Sequence, residues 1–178
     1  VPEVFDRRTA LASALGVLGL SLGGLFFGLR AMFGSDPVEL VQTSIKGVQR
    51  RIIEGRGFPV VLYLYASWCP GCRASMGNVN RAVRRFHDRG VTFVVVSVDE
   101  EAELLEELLN ITGAEFEPLI APAAPKPKLL AMTRELGAEY PEVIPWGVVF
   151  DGDGKPIFEW TGGKSMVGWE GALEEALG

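Results

Sequence analysis

The chain has 178 residues, 48 % of them hydrophobic, a formal net charge of −6, two cysteines and one histidine. That length suits one compact domain with an appendage. The acidic balance argues against nucleic acid and anionic lipid as partners. There is no repeat, no phosphate-binding glycine loop and no low-complexity tract; the nearest is the proline-rich loop Ala121-Pro122-Ala123-Ala124-Pro125-Lys126-Pro127.

From Ala10 to Leu29 twenty consecutive residues carry no charge. At about 1.5 Å per helical residue they span roughly 30 Å, the thickness of a bilayer's hydrocarbon core. A cleaved signal peptide has a shorter apolar region followed by an Ala-x-Ala-like site, and no such site follows the apolar run before Arg30. Arg7-Arg8 lacks the rest of a twin-arginine signal. The pattern predicts a cytoplasmic segment over 1–9, a retained transmembrane helix over 10–33, a linker and amphipathic helix over 34–57, and a domain over 58–178. Arg7 and Arg8 before the span, against Arg30, Asp36 and Glu39 after it, place the N-terminus in the cytoplasm. The predicted location is a bacterial inner membrane, single-pass, with the domain facing the periplasm. Gly19 and Gly23, like Gly24 and Gly28, are four apart and offer a small face to a membrane partner. Beyond Gly34 the charge is about −7.

Asp36-Pro37 reads as a cap and first turn, with Val38, Val41, Ile45, Val48 and Ile52 following at helical spacing. This predicts a helix over 37–54. Val60 to Ala66 reads as a buried central strand, followed by Trp68-Cys69-Pro70-Gly71-Cys72 and a helix running to about Asp88. Val91 to Val98 is a second apolar strand, and Glu101 to Leu109 a leucine-rich helix. A short strand over 118–121 and a helix over 127–136 come next. Trp146–Phe150 and Pro156–Thr161 flank the turn signal Asp151-Gly152-Asp153-Gly154-Lys155, and a last amphipathic helix covers 166–177.

The two cysteines carry the chemistry. Two thiols separated by two residues, where a strand becomes a helix, form a dithiol–disulfide switch. A helix starting at Cys69 sets that sulfur over unpaired backbone N–H groups and the positive end of the helix dipole, which favours an exposed thiolate. Cys72, almost one turn further in, is placed to attack the resulting mixed disulfide. Pro70 suits the first helical turn, and Gly71 admits a close backbone approach. Arg73 adds a nearby cation that either supports the thiolate or is merely solvated. A zinc site needs about four ligands, and the chain offers no further cysteine and only His87, at a polar helix end. No metal is expected. A structural disulfide across so short a loop would constrain the unfolded chain little.

Strand, Trp-Cys-x-x-Cys, helix, strand, then Ile144-Pro145 before a hairpin and terminal helix resembles a thioredoxin-fold protein. The apolar span, with an extra helix and strand before the proline, resembles the membrane-anchored TlpA/ResA-like branch. The likeness covers about Val60 to Leu177. It implies an α/β, thioredoxin-like fold: a central mixed sheet flanked by helices, preceded by the single N-terminal transmembrane helix. It also implies that Pro145 is cis and lies against the cysteine pair, with the Ile144 backbone pairing to a partner's chain. Trp68 and Trp146 would then flank the sulfurs as an apolar platform, so the expected substrate-binding set is Trp68, Pro70, Gly71, Ile144, Pro145 and Trp146. The sequence departs from the family pattern in three places. The buried acid six residues before the first cysteine is replaced by Tyr63, a helix proline by Gly77, and the leading strand hairpin by the 37–54 helix. Asp99, Glu100 and Glu101 are read as favouring the N-terminus of the next helix.

The expected function is a membrane-anchored thiol–disulfide oxidoreductase with catalytic Cys69 and Cys72, no cofactor beyond their redox-active disulfide, and protein disulfides outside the cytoplasm as substrates. Its partners by resemblance are cysteine-containing proteins, including apocytochrome c in cytochrome c biogenesis, and a membrane electron donor. The alternative is an accessory subunit of a membrane complex that uses a thioredoxin-like domain for docking.

Overall fold

The computed structural model describes residues 37–122 and 124–178. The Ala10–Leu29 run lies outside them, and among the described residues no helix is long and apolar enough to cross a membrane. In chain order the elements are β1 (Val41–Gln42), α1 (Ile45–Glu54), β2 (Val60–Tyr65), α2 (Pro70–Phe86), β3 (Thr92–Ser97), α3 (Glu103–Thr112), β4 (Leu119–Ile120), α4 (Lys126–Glu135), β5 (Trp146–Phe150), β6 (Pro156–Thr161) and α5 (Met166–Leu177). They build a six-stranded sheet in the order β1-β4-β3-β2-β5-β6. The pairs from β1 to β2 are parallel, and β5 and β6 are antiparallel.

β2 is buried at every position, as expected for a central strand with covered faces. Its side chains alternate between two cores. Val61, Tyr63 and Tyr65 join residues of α2, α3 and α5 on one face. Val60, Leu62 and Leu64 join α1, α4 and the Trp146, Val148 and Phe150 positions of β5 on the other. The central strands, the hairpin and α5 follow the hydrophobic pattern closely, because periodicity and burial agree there.

The first helix departs from expectation. It begins at Ile45, where the Ser44 hydroxyl accepts the Gly47 N–H at 3.2 Å. Val41 instead belongs to a strand: its N–H donates to the Pro118 carbonyl and that of Thr43 to Ile120. Helical spacing at Val38 and Val41 thus yields to the unpaired edge of β4, which a local cap downstream leaves free to pair. The second departure is at α3. The helix starts at Glu103, and Ala102 at its N-cap supplies no side-chain hydrogen bond.

One glycine is required by packing. Gly147 pairs with Tyr63 on one side and Trp160 on the other, and a Cβ there would overlap the Trp160 indole. Its missing side chain lets that ring lie across the strand towards Tyr63, with ring centroids 6.3 Å apart.

Candidate active site

Pro70 opens α2 as its first residue, so Cys69 is the N-cap, in extended conformation. Four backbone N–H groups at a helix start lack partners within the helix. One of them, the Cys72 N–H, donates to the Cys69 Sγ at 3.3 Å. The 17-residue helix directs its positive end at the same sulfur. Both cysteines are unbonded thiols. The expectation of an exposed first sulfur is not met: Cys69 keeps only 6 % of its surface. Its S–H donates to the Ile144 carbonyl at 3.6 Å, which brings the loop before β5 over it.

The Ile144–Pro145 peptide bond is cis, in line with what the resemblance implies. A Cβ on Gly71 would fall 3.5 Å from the Pro145 Cδ, so this proline lies directly against the cysteine turn. A third segment closes the site: a Cβ on Gly163 would be 3.2 Å from the Ser75 Cβ and 3.6 Å from the Gly71 carbonyl. Three segments therefore meet at the first turns of α2. Of the proposed contact residues, Pro70 and Gly71 are exposed, Ile144 is half-buried and Pro145 is buried. Trp68 is 61 % exposed beside Cys69, and Val143, which the sequence did not single out, is 52 % exposed.

Trp146 does not join them. It is 1 % exposed and packs on Tyr140, centroids 5.2 Å apart, in the core on the opposite face of the sheet from the sulfurs. Adjacent strand residues point to opposite faces, and the position after the proline points away. Arg73 is exposed and donates from Nη1 to the Ser67 carbonyl at 3.4 Å, so its first contact is with the turn.

Cys72 is fully buried behind Cys69. Burial pushes its thiol well above the ordinary thiol range. Hydrogen bonding between the two sulfurs and the charges of Cys69 and Asp99 act in the same direction, while a backbone hydrogen bond at Ala66 opposes them. Tyr63 stands where related thioredoxins carry an acid. Its hydroxyl meets Ser75 Oγ at 2.9 Å, and Ser75 donates its proton to the Cys72 carbonyl at 3.0 Å. Tyr63 is therefore the donor of that pair. Burial drives its phenol far above the usual range, despite the Ser75 contact.

The carboxylate of this site comes from elsewhere. Asp99 is 2 % exposed and caps no helix, contrary to the sequence reading. Its Oδ2 accepts the Ser67 N–H at 2.8 Å and the Ser97 hydroxyl at 2.5 Å, and its Oδ1 accepts the Ser67 hydroxyl at 2.8 Å. A buried carboxylate is tolerated when such charge-assisted bonds satisfy it. The signal was the register: Tyr65 pairs with Ser97 in adjacent parallel strands. Residues two further along each, Ser67 and Asp99, therefore emerge side by side.

A reduced Cys-x-x-Cys pair at a helix start, under a cis-proline loop on a mixed sheet, defines the thioredoxin-like class of dithiol proteins. Residues 36–154 match the AhpC/TSA family, and the chain belongs to that family. It is 23 % identical to a protein named thiol-disulfide oxidoreductase ResA from Bacillus thuringiensis (strain Al Hakam), over 90 % of this chain and 88 % of that protein. It is 32 % identical to the thioredoxin-like chloroplastic protein HCF164 of Oryza sativa subsp. japonica, over 65 % of this chain and 40 % of that protein. In fold it is similar to the crystal structure of a thiol:disulfide interchange protein of the thioredoxin family from Chlorobium tepidum TLS, with a TM-score of 0.58 and 23 % identity over 71 % of this chain and 84 % of that one.

Proposed function

We propose that this chain is a thiol–disulfide oxidoreductase that exchanges its Cys69–Cys72 dithiol with disulfides of exported proteins. The observation that carries this reading is the placement of the sulfurs. Cys69 caps a helix and receives a backbone N–H, while Cys72 is buried one turn behind it. Cys69, as thiolate, attacks one sulfur of a partner's disulfide, and the other partner sulfur leaves as a thiolate. Cys72 then gives up its proton and attacks Cys69, and the second partner sulfur leaves. Two electrons pass to the partner, and a Cys69–Cys72 disulfide remains. A membrane electron donor restores the dithiol. No cofactor enters this cycle.

Trp68 and Val143 supply the exposed apolar surface beside Cys69 for a partner's cysteine-bearing segment, with Pro70, Gly71, Ile144 and Pro145 shaping its floor. The uncharged Ala10–Leu29 run supports anchoring in a bacterial inner membrane with the domain on the periplasmic side. Apocytochrome c is one substrate consistent with the relatives' class.

The test is insulin-disulfide reduction with dithiothreitol as the electron source, comparing the intact protein with Cys69→Ser. Turnover is expected for the former and a loss of about 10³-fold or more for the latter, because the nucleophile itself is removed. Equal rates for the two would sink the proposal. Extraction of membranes from expressing cells with alkaline carbonate tests the anchor: the chain should stay with the lipid.

A further inference from the structure

Asp99 is a buried charge that the exchange just described does not use. It lies just past the end of β3, and of its three side-chain hydrogen bonds two go to Ser67 in the cysteine turn and one to Ser97 of its own strand. Ser67 is held on both sides: Asp99 takes its N–H and hydroxyl, and Arg73 donates to its carbonyl. Two residues later comes Cys69. Three of the four lone-pair positions of the carboxylate are occupied, and none of its hydrogen bonds is to a sulfur. A base that collects the Cys72 proton directly is therefore not what this geometry builds. A fixed charge behind the helix is.

We propose that Asp99 is a positioning residue of the dithiol: through Ser67 it fixes the turn that presents Cys69, and its buried charge keeps Cys72 a neutral thiol while Cys69 is joined to a partner, prolonging the mixed disulfide. This rests on the oxidoreductase reading. The titratable groups around Cys72 are Tyr63 and Tyr65 from β2, Asp99 from the end of β3 and Cys69 on its own turn, with Arg73 nearby at the helix start and Tyr140 across the sheet in the other core. All three tyrosines are pushed towards the neutral phenol, burial being the largest cause for each. The charges that act against a Cys72 thiolate are those of Cys69 and Asp99. Once Cys69 is in a mixed disulfide it carries none, and burial together with the Asp99 charge opposes ionisation. The Cys72 proton then leaves to solvent before the sulfur attacks Cys69.

The experiment is stopped-flow mixing of the reduced full-length protein with one equivalent of dithionitrobenzoate, over a range of pH. Attack by Cys69 releases one thionitrobenzoate and attack by Cys72 releases the second, so the two steps are read separately. Asp99→Asn keeps the hydrogen bonds: the amide oxygen accepts from Ser67 N–H and Ser97, and the amide nitrogen donates to the rotatable Ser67 hydroxyl. Its second release should be about fivefold faster at neutral pH, with its rise beginning at lower pH, because a repelling charge has gone. Ser67→Ala keeps the charge and loosens the turn. It should slow the first release and leave the pH midpoint of the second where it was.

In Asp99→Asn, a second release that is unchanged or slower overturns the role of Asp99 while leaving the oxidoreductase reading intact. Absence of any first release in the wild type defeats both. The wild type also tests the idea without a variant: its second release should keep rising beyond about pH 8.5, where an ordinary thiol ionises. A plateau there overturns the proposal.

Discussion

The two faces of β2 are built from the same strand and are equally buried, yet they differ in chemistry. The face towards α1 and α4 is dry: Val60, Leu62 and Leu64 meet Val94, Val96 and Val148. The face beneath the cysteine helix carries Tyr63, Tyr65, Ser75 and the Ser67–Asp99–Ser97 group. Among the described residues, the buried side-chain polar atoms without a partner are the Tyr65 hydroxyl and the indole N–H groups of Trp160 and Trp169, and all three residues lie in or against this core. An unpaired buried polar group costs about 1–3 kcal/mol. Among the described residues the unpaired buried polar atoms are thus confined to the layer that surrounds the sulfurs. One face is packed almost wholly from apolar side chains, and the other carries polar groups around the thiol pair.

Substitutions can break this division. The largest effect is expected from Leu64→Ala on the dry face. Leu64 is fully buried between Val96 and Trp146, and truncation should cost about 2–5 kcal/mol in urea unfolding. Insulin reduction per folded molecule should not change; a stable variant with lost turnover would show that the faces are not separable. Gly147→Ala comes next. It forces the Trp160 indole off the strand and should cost about 1–3 kcal/mol. Near-ultraviolet circular dichroism should report the disturbed Tyr63–Trp160 contact.

Alkali sharpens the comparison further. In the unfolded chain a thiol ionises near pH 8.5. In the folded reduced protein burial holds Cys72 protonated well above that. Between the two values the native state binds the extra proton, so stability falls as pH rises, by roughly 1.4 kcal/mol per pH unit. Thermal unfolding of the reduced form should show this decline from about pH 9. Forming the Cys69–Cys72 disulfide should abolish it, leaving the later loss from Tyr63, Tyr65 and Tyr140 above about pH 10. The smallest effect is expected from Tyr63→Phe. It removes one donor from Ser75, whose own proton is committed to the Cys72 carbonyl. The loss should be about 1 kcal/mol in urea unfolding, and no loss would show that Ser75 finds another donor.

Much of the fold was legible in the residues. Trp146–Phe150, Pro156–Thr161 and Met166–Leu177 take the predicted bounds, since local periodicity, the Asp151–Lys155 turn and burial point the same way there. The helix start was misread because Val38 and Val41 fit two templates, and a strand edge distant in sequence decided between them. Trp146 was misplaced because adjacency to Pro145 in the chain says nothing about which face its side chain takes.

By itself the sequence determined the dithiol and its strand-to-helix setting, because these depend on neighbours along the chain and on fixed backbone preferences; the proline opposite it was implied by the resemblance. Tertiary structure alone decided how deeply Cys69 is covered and which carboxylate stands behind Cys72. Position 63 holds no acid, and Asp99 reaches the site only because β2 and β3 pair in a register that sets Tyr65 beside Ser97. Electrostatic influence depends on distance and burial. Both arise when segments far apart in the chain pack together.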